Sequence, residues 1–174
     1  MKALSIQVFI LLAFVTAGCD QLETAPLSGV VHTDEQGMIL EDDPGDWQPR
    51  CGGTNGFCIT PLSPNPAEVD RQSSLTFTLS EAAFVSIRVE NEQGRALDEI
   101  KGKRLEAGES TLAIVPQTSR GYKEGIYRIF ISAYDAKGRL LFKTYGDFGV
   151  EGPHNNAFQR TPGGATFSVT GASE

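Results

Sequence analysis

The sequence predicts an all-β protein with the architecture of a β-sandwich, and two independent observations support this. The first is strict alternation: Leu75, Phe77 and Leu79 are separated by single polar residues, the pattern of a strand with one buried face. The second is a set of turn sequences at the ends of such runs. After residue 19 no helical periodicity extends beyond two turns, and short strands separated by turns are typical of a sandwich.

Further strands are predicted along the chain. Val85, Ile87 and Val89 also alternate with polar residues, so we expect a second strand with one buried face. Residues 126–134 and 140–145 are richer in β-branched and aromatic side chains. That composition favours strands nearer the centre of a sheet.

Three turn sequences share one spacing, with Asp or Asn first and Gly fourth, at residues 34–37, 91–94 and 135–138. Asp and Asn suit the first position of a type I turn because their side chains accept a local backbone hydrogen bond. Glycine suits the fourth because it tolerates positive φ. The sequence therefore predicts three hairpins.

Residues 1–18 have the order of a signal peptide. Lys2 is the only charged residue, an apolar stretch follows at residues 6–15, and the small residues Thr, Ala and Gly come next. The apolar stretch is too short to span a bilayer, which takes about 20 apolar residues. We therefore expect export of the chain and removal of this segment.

Residues 16–19, Thr-Ala-Gly-Cys, resemble the bacterial lipobox. The resemblance implies cleavage after residue 18 and acylation of Cys19, which would anchor the protein to the inner or outer membrane with its domain outside the cytoplasm. Thr16 departs from the usual leucine. More than one acyl chain holds a protein stably on a bilayer. A soluble secreted protein with an incidental cysteine is the alternative.

The formal net charge of −7 favours solubility and repels nucleic acid and anionic lipid. Nucleic-acid binding is not expected, because no basic stripe interleaved with aromatic residues is present.

The length suits one domain with flanking segments. We assign residues 1–18 to the signal peptide and residues 19–60 to the anchor, tether and N-terminal extension. Residues 61–150 then form the sandwich, and residues 151–174 form a polar C-terminal tail. The alternative is that residues 165–169 of this tail add a strand to the sheet.

Short motifs recur in a fixed order within the predicted sandwich: Pro-Asn-Pro at residues 64–66, Gly-Arg at 94–95, Ala-Gly at 107–108 and Gly-Ile-Tyr at 125–127. Together they resemble the immunoglobulin-like domain of flagellar hook-capping proteins and of C-terminal sorting domains of Bacteroidota. The resemblance covers about half of the chain and implies an immunoglobulin/fibronectin III-like antiparallel β-sandwich.

The chain also departs from these families. It lacks their Trp-Asp and the longer loop between the Ala-Gly segment and the Gly-x-Tyr strand, and residues 151–174 follow the last predicted core strand. The resemblance therefore indicates the fold and not a sorting role.

Cys51 and Cys58 enclose a loop that contains three glycines. With Cys19 acylated, these two cysteines remain as a pair, and we predict a disulfide between them. Closing a loop of this size stabilises a fold by roughly 2.5 kcal/mol in the chain-entropy model. Half of a metal site is the alternative, but His32 and His154 are far apart and have no ligand-spaced partner.

A cluster of acidic residues lies around a Pro-Gly pair just before Trp47; its members are Glu41, Asp42, Asp43 and Asp46. Closely spaced carboxylates coordinate calcium in some loops, and an exposed tryptophan suits a binding site. The alternatives are a solvated acidic turn and a tryptophan that packs this segment onto the sandwich.

No nucleophile elbow, phosphate-binding loop or haem attachment motif is present. No catalytic residue, metal or cofactor is therefore predicted. We expect a non-enzymatic, membrane-anchored envelope lipoprotein that serves as an accessory or docking module for a protein partner through its sheet edges and loops. The alternative is a carbohydrate- or calcium-binding lipoprotein that uses the loop from Asp42 to Trp47.

Overall fold

The computed structural model describes residues 29–52, 56–152 and 167–171. In chain order the strands are β1 (His32–Thr33), β2 (Ile39–Glu41), β3 (Cys58–Ile59), β4 (Ala67–Glu68), β5 (Ser73–Leu79), β6 (Ala83–Asn91), β7 (Ala96–Leu105), β8 (Gly108–Ile114), β9 (Gly125–Tyr134), β10 (Leu140–Glu151) and β11 (Ser168–Gly171). A short 3-10 helix at Thr118–Arg120 lies between β8 and β9. The predicted all-β class is confirmed.

The strands form two large sheets and a separate hairpin of β1 with β2. One sheet has the order β4-β10-β9-β6-β7 and the other β11-β8-β5-β3. All pairs are antiparallel except β10 with β4. Strand β5 pairs with β8 in one sheet while β6, β9 and β10 lie together in the other, which is the immunoglobulin-like division of strands between two layers.

The three predicted turns have one geometry. In each, the amide of the fourth residue donates to the carbonyl of the first, at 3.1 Å in the turn of Asp34, 2.9 Å in that of Asn91 and 3.0 Å in that of Asp135. The first side chain also accepts from the amides two and four residues later. The closing glycines have φ between 71° and 79°. The hairpin prediction is confirmed.

The core lies between the two large sheets. Strand β5 alternates buried and half-buried residues over its whole length, and Val85, Ile87 and Val89 of β6 are buried as predicted. Strand β9 is the middle strand of the five-stranded sheet, as its composition predicts, and β10 beside it runs six residues further than expected. The apolar alternation therefore identifies the layer that excludes water.

The sandwich also includes chain from outside residues 61–150. Strand β3 pairs with β5 before this stretch begins, and β11 pairs with β8 after it ends. Val31 and Trp47 from the extension and Val169 of β11 belong to the same buried cluster as the central strands. The extension is thus part of the folded unit, and the C-terminal segment contributes an edge strand.

Tyr127 fixes the start of β9. Its ring is buried, and its hydroxyl bonds the backbone of Lys123, accepting from the amide and donating to the carbonyl, both at 2.8 Å. A tyrosine at this position, bonded to backbone a few residues upstream, is a recurring feature of immunoglobulin-like sandwiches.

Candidate docking surface

Two predictions concern cysteines: acylation of Cys19 and a disulfide between Cys51 and Cys58. Cys19 lies outside the described residues. Cys51 and Cys58 form a disulfide with their Cα atoms 4.7 Å apart. Cys58 belongs to β3, the amide of Cys51 donates to the carbonyl of Ile59, and the neighbouring Phe57 ring stacks on Phe142 of β10. The disulfide therefore fastens the extension to β3 at the edge of one sheet, and the neighbouring Phe57 contacts β10 of the other.

The carboxylates of the acidic loop have separate partners. Asp42 pairs with Arg50, whose hydrogen bond lowers the pKa of Asp42. Asp43 accepts from the amide of Gly45 at 2.9 Å. Asp46 accepts from the amide of Asp147 on β10, also at 2.9 Å. Among the described residues, no group of three or more His, Cys, Asp or Glu side chains is arranged to hold a metal ion.

Trp47 packs the extension onto the sandwich. Its side chain is fully buried, and its amide donates to the carbonyl of Tyr145 at 3.0 Å. The ring occupies the space that a side chain at position 146 would fill: a Cβ on Gly146 would lie 2.1 Å from Trp47 Cδ2. Trp47 therefore presents no ring face to solvent.

Chain on both sides of the disulfide loop covers the free edge of β10. The Asn65 side chain donates to the carbonyl of Val31 at 2.6 Å and accepts from the amide of Gly149 at 3.0 Å. Further along, the Thr144 hydroxyl donates to the carbonyl of Gln48 at 2.6 Å. An uncovered edge strand is a template for pairing with other chains. Here other segments of the same chain cover this edge.

A buried ion pair lies beneath this cover. Arg128 of β9 makes two hydrogen bonds to Asp147 of β10, at 2.6 and 2.7 Å, and both residues are at most 5% exposed. The pairing raises the pKa of Arg128. Burial raises the pKa of nearby Asp46 to about 6, although the bond to the Asp147 amide opposes that shift. Arg128, Asp147 and Asp46 are all buried, so this cluster of charged groups is closed to solvent.

The solvent-facing side of the five-stranded sheet carries an exposed apolar row. Phe84 of β6 lies opposite Tyr134 of β9, and Tyr134 lies opposite Leu140 of β10. Their exposed fractions are 39%, 36% and 44%. Three neighbouring strands thus present one continuous apolar patch, which we call the apolar row.

The rest of this face is mixed in character. Next to the apolar row, Ser86 pairs with Ser132, and beyond them the guanidinium of Arg88 lies 5.5 Å from the centre of the Phe130 ring. The Phe130 ring in turn lies 6.4 Å from that of Tyr145. Aromatic residues and arginine are both enriched where proteins bind other proteins.

The outer edge of this sheet, β7, is unsuited to pairing. Residues 101 and 102 bulge out of the ladder with β6, where Gly102 has φ of 56° and its amide donates to the Ser86 hydroxyl. Lys101 and Lys103 lie in or beside the bulge. Bulges and lysines are the usual devices that keep an edge strand from pairing, so the sheet face is the more accessible surface.

A second exposed apolar site lies at the β1–β2 hairpin, where Met38 and Leu40 are 66% and 67% exposed.

In the part of the chain that the structure describes, no helix has the length and apolar character needed to cross a membrane. No model of a known protein family matches the sequence, and no curated protein matches it either.

Sequence reasoning did not single out the apolar row or the Arg128–Asp147 pair. Phe84 carried a signal, because it is an aromatic residue in the outward phase of the alternating run at residues 85–89. Its adjacency to Tyr134 and Leu140 depends on the register between strands, which the sequence does not state.

Proposed function

We propose that the chain is a non-enzymatic lipoprotein of the bacterial cell envelope, anchored through Cys19, whose immunoglobulin-like sandwich docks a protein partner. The observation that supports docking is the apolar row of Phe84, Tyr134 and Leu140. The largest contiguous apolar patch on the surface of a monomeric protein is often functional. Two of the three are aromatic, and aromatic residues are enriched at protein interfaces.

The structure also bears on where a partner would bind. The β10 edge is covered by the extension and the β7 edge is bulged, so we place the partner on the sheet face rather than at these two edges. The ligand-binding alternative has less support, because Trp47 is buried and the nearby carboxylates Asp42, Asp43 and Asp46 each already accept a hydrogen bond.

Docking is tested in living cells by placing a photocrosslinking amino acid at Phe84, Tyr134 or Leu140 of the full chain. The control position is Thr76, on the outward side of β5 in the other sheet. We expect one discrete adduct, of the same mass, from the three row positions and none from Thr76. If no adduct forms at any of the three, the row is not a docking surface.

Anchoring is tested separately with Cys19→Ser. The wild-type chain should incorporate a fatty-acid analogue and sediment with membranes, whereas the variant should do neither. A wild-type chain that sediments without label, together with a variant that sediments equally, would contradict acylation at Cys19.

A further inference from the structure

The β1–β2 hairpin exposes three consecutive apolar residues, Met38, Ile39 and Leu40. Their exposed fractions are 66%, 38% and 67%. Met38 and Leu40 are the most exposed large apolar side chains in the part of the chain that the structure describes. A run of exposed apolar residues is unfavourable in water unless it has a function. This run, which we call the hairpin patch, is therefore a candidate binding surface.

Hydrogen bonds hold the hairpin against the rest of the sandwich. Thr33 exchanges backbone hydrogen bonds with Asn65, at 2.8 and 3.2 Å, and its hydroxyl donates to the carbonyl of Leu62 at 2.7 Å. The hydroxyl of Ser63 donates to the carbonyl of Asp34, also at 2.7 Å. A patch that is already held in place loses little conformational entropy when it binds.

The chain that leads from Cys19 enters the fold at this hairpin. Val31 is buried in the core, and β1 begins at the next residue, His32. Glu41 lies opposite His32, so Leu40 is within one residue of the point of entry. Val31 lies twelve residues after Cys19, a span of at most about 43 Å when fully extended. A lipid on Cys19 would therefore keep the hairpin patch near the bilayer.

We infer that the hairpin patch rests on the bilayer that carries the lipid of Cys19, with Met38 and Leu40 inserted at its surface. This inference rests on the proposed acylation, because the lipid supplies the attachment and the patch adds a second, weaker contact. Binding of apolar side chains to a membrane surface strengthens with the apolar area that they bury. A short link keeps the local concentration of lipid high, so even a weak contact is populated.

The charge of the chain determines which lipids suit this contact. The formal net charge is −7, and the hairpin itself carries Glu35 and Glu41. The Glu41 carboxylate lies 3.8 Å from His32. Negative charge on the protein repels anionic headgroups. The contact therefore depends on burial of apolar surface, and zwitterionic lipid suits it best.

Contact through the hairpin would also orient the sandwich. Asn65 pairs with Thr33 of β1, and its side chain accepts from the amide of Gly149 near the end of β10. Leu140 of the apolar row is the first residue of β10. The nine residues from Leu140 to Gly149 span about 30 Å of strand. The apolar row would therefore lie at the end of the sheet away from the bilayer, where a partner can reach it.

The test uses the full acylated chain in phosphatidylcholine vesicles, with an environment-sensitive dye at one residue. Acylation of Cys19 and the disulfide between Cys51 and Cys58 leave no free thiol among the three cysteines. The cysteine introduced by Met38→Cys or by Leu40→Cys is then the only site that the dye labels. At both positions we expect the emission to shift to the blue and to be quenched by bromine-labelled phosphatidylcholine.

The matched control is Lys137→Cys, in the exposed turn between β9 and β10. Its dye should keep the emission seen without vesicles and should not be quenched. Adding Leu40→Asp to the Met38→Cys protein should abolish the shift, whereas Leu40→Ile should preserve it; both residues are exposed, so the fold should tolerate these changes. Equal emission at all three labelled positions, or a shift at Met38→Cys that survives Leu40→Asp, would overturn the inference.

Three other measurements separate the remaining explanations. A concentration-dependent shift in a labelled Cys19→Ser variant without vesicles would assign the patch to a second copy of this chain. At low salt the shift should be smaller on anionic phosphatidylglycerol vesicles, and a larger shift there would contradict an apolar contact. A chain that incorporates no fatty acid would overturn anchoring and membrane contact together, whereas an acylated chain without a shift would overturn the membrane contact alone.

Discussion

Gly146→Ala should destabilise the protein because Trp47 already occupies the space of the missing side chain. An added Cβ would lie 2.1, 2.2 and 2.5 Å from three ring atoms, well inside the normal separation of about 3.5 Å between carbon atoms. Gly146 lies in β10 without a positive φ, so alanine would otherwise be preferred there by about 0.5–1 kcal/mol. The contact with Trp47 therefore turns an expected gain in stability into a loss.

The size of the destabilisation depends on whether the added methyl group displaces the Trp47 ring. If the ring leaves its site, the loss resembles truncation of a buried tryptophan, about 3–5 kcal/mol. Subtracting the strand preference of alanine leaves a cost of about 2–4 kcal/mol. Gly149→Ala is the matched control on the same strand. Its Cβ would meet Pro66 at 3.2 Å, and a small adjustment should hold the cost below about 1 kcal/mol.

A double-mutant cycle isolates the contact. In a Trp47→Ala background, Gly146→Ala should become neutral or stabilising by up to about 1 kcal/mol. The coupling is then about 2–5 kcal/mol, at or above the upper end of the range of about 0.5–3 kcal/mol seen for touching residues. Urea denaturation followed by circular dichroism measures all four proteins. Trp47 is the only tryptophan, so its fluorescence in Gly146→Ala reports the ring directly. Wild-type stability with an unshifted emission maximum would refute the reasoning.

Three further predictions concern the same scaffold. Tyr127→Phe removes both hydrogen bonds to the Lys123 backbone and should cost about 1–3 kcal/mol in urea denaturation; an unchanged midpoint would contradict this. Because folding raises the pKa of Asp46 to about 6 from its usual 3.8, stability should fall as pH rises from 4 to 6. Asp46→Asn should flatten that profile and gain about 1–3 kcal/mol at pH 7; parallel profiles would argue against it. Replacing Cys51 and Cys58 together by serine should cost about 2 kcal/mol, and alkylation with mass analysis should find no free thiol at either in the wild type.

The two-layer fold was predictable because it depends on local signals. Alternation in residues 75–79 and 85–89 determines which side of β5 and β6 is buried, and this requires no knowledge of the neighbouring strands. In the turns that begin at Asp34, Asn91 and Asp135, the first residue accepts hydrogen bonds only from amides within the next four residues. Features of this kind are encoded in short stretches of sequence.

The packing of the extension was not predictable in the same way. Residues 29–57 contain no periodic apolar run, and the contact of Trp47 with Gly146 joins positions 99 residues apart. Packing was one of two interpretations of Trp47, and burial decides between them. The glycine at position 146 is a signal only when the position of the tryptophan is already known.

The apolar row was predictable only in part. The alternation in residues 85–89 predicts that Phe84 faces outward, but only the register between strands brings it beside Tyr134 and Leu140 in one patch. Strand β11 could not be predicted from its own sequence. Its few apolar residues were compatible with either a tail or an added strand, because the free energy of so short a segment depends on the edge it meets.

Acylation of Cys19 would also restrict where the apolar row can find its partner. Val31 is buried in the core and lies twelve residues after Cys19, and twelve residues reach at most about 43 Å even when fully extended. The sandwich would then remain close to the bilayer that holds the lipid. A docking partner must therefore present its surface within that membrane-proximal layer, so membrane-anchored and peripheral envelope proteins are the candidates to examine among the crosslinked adducts.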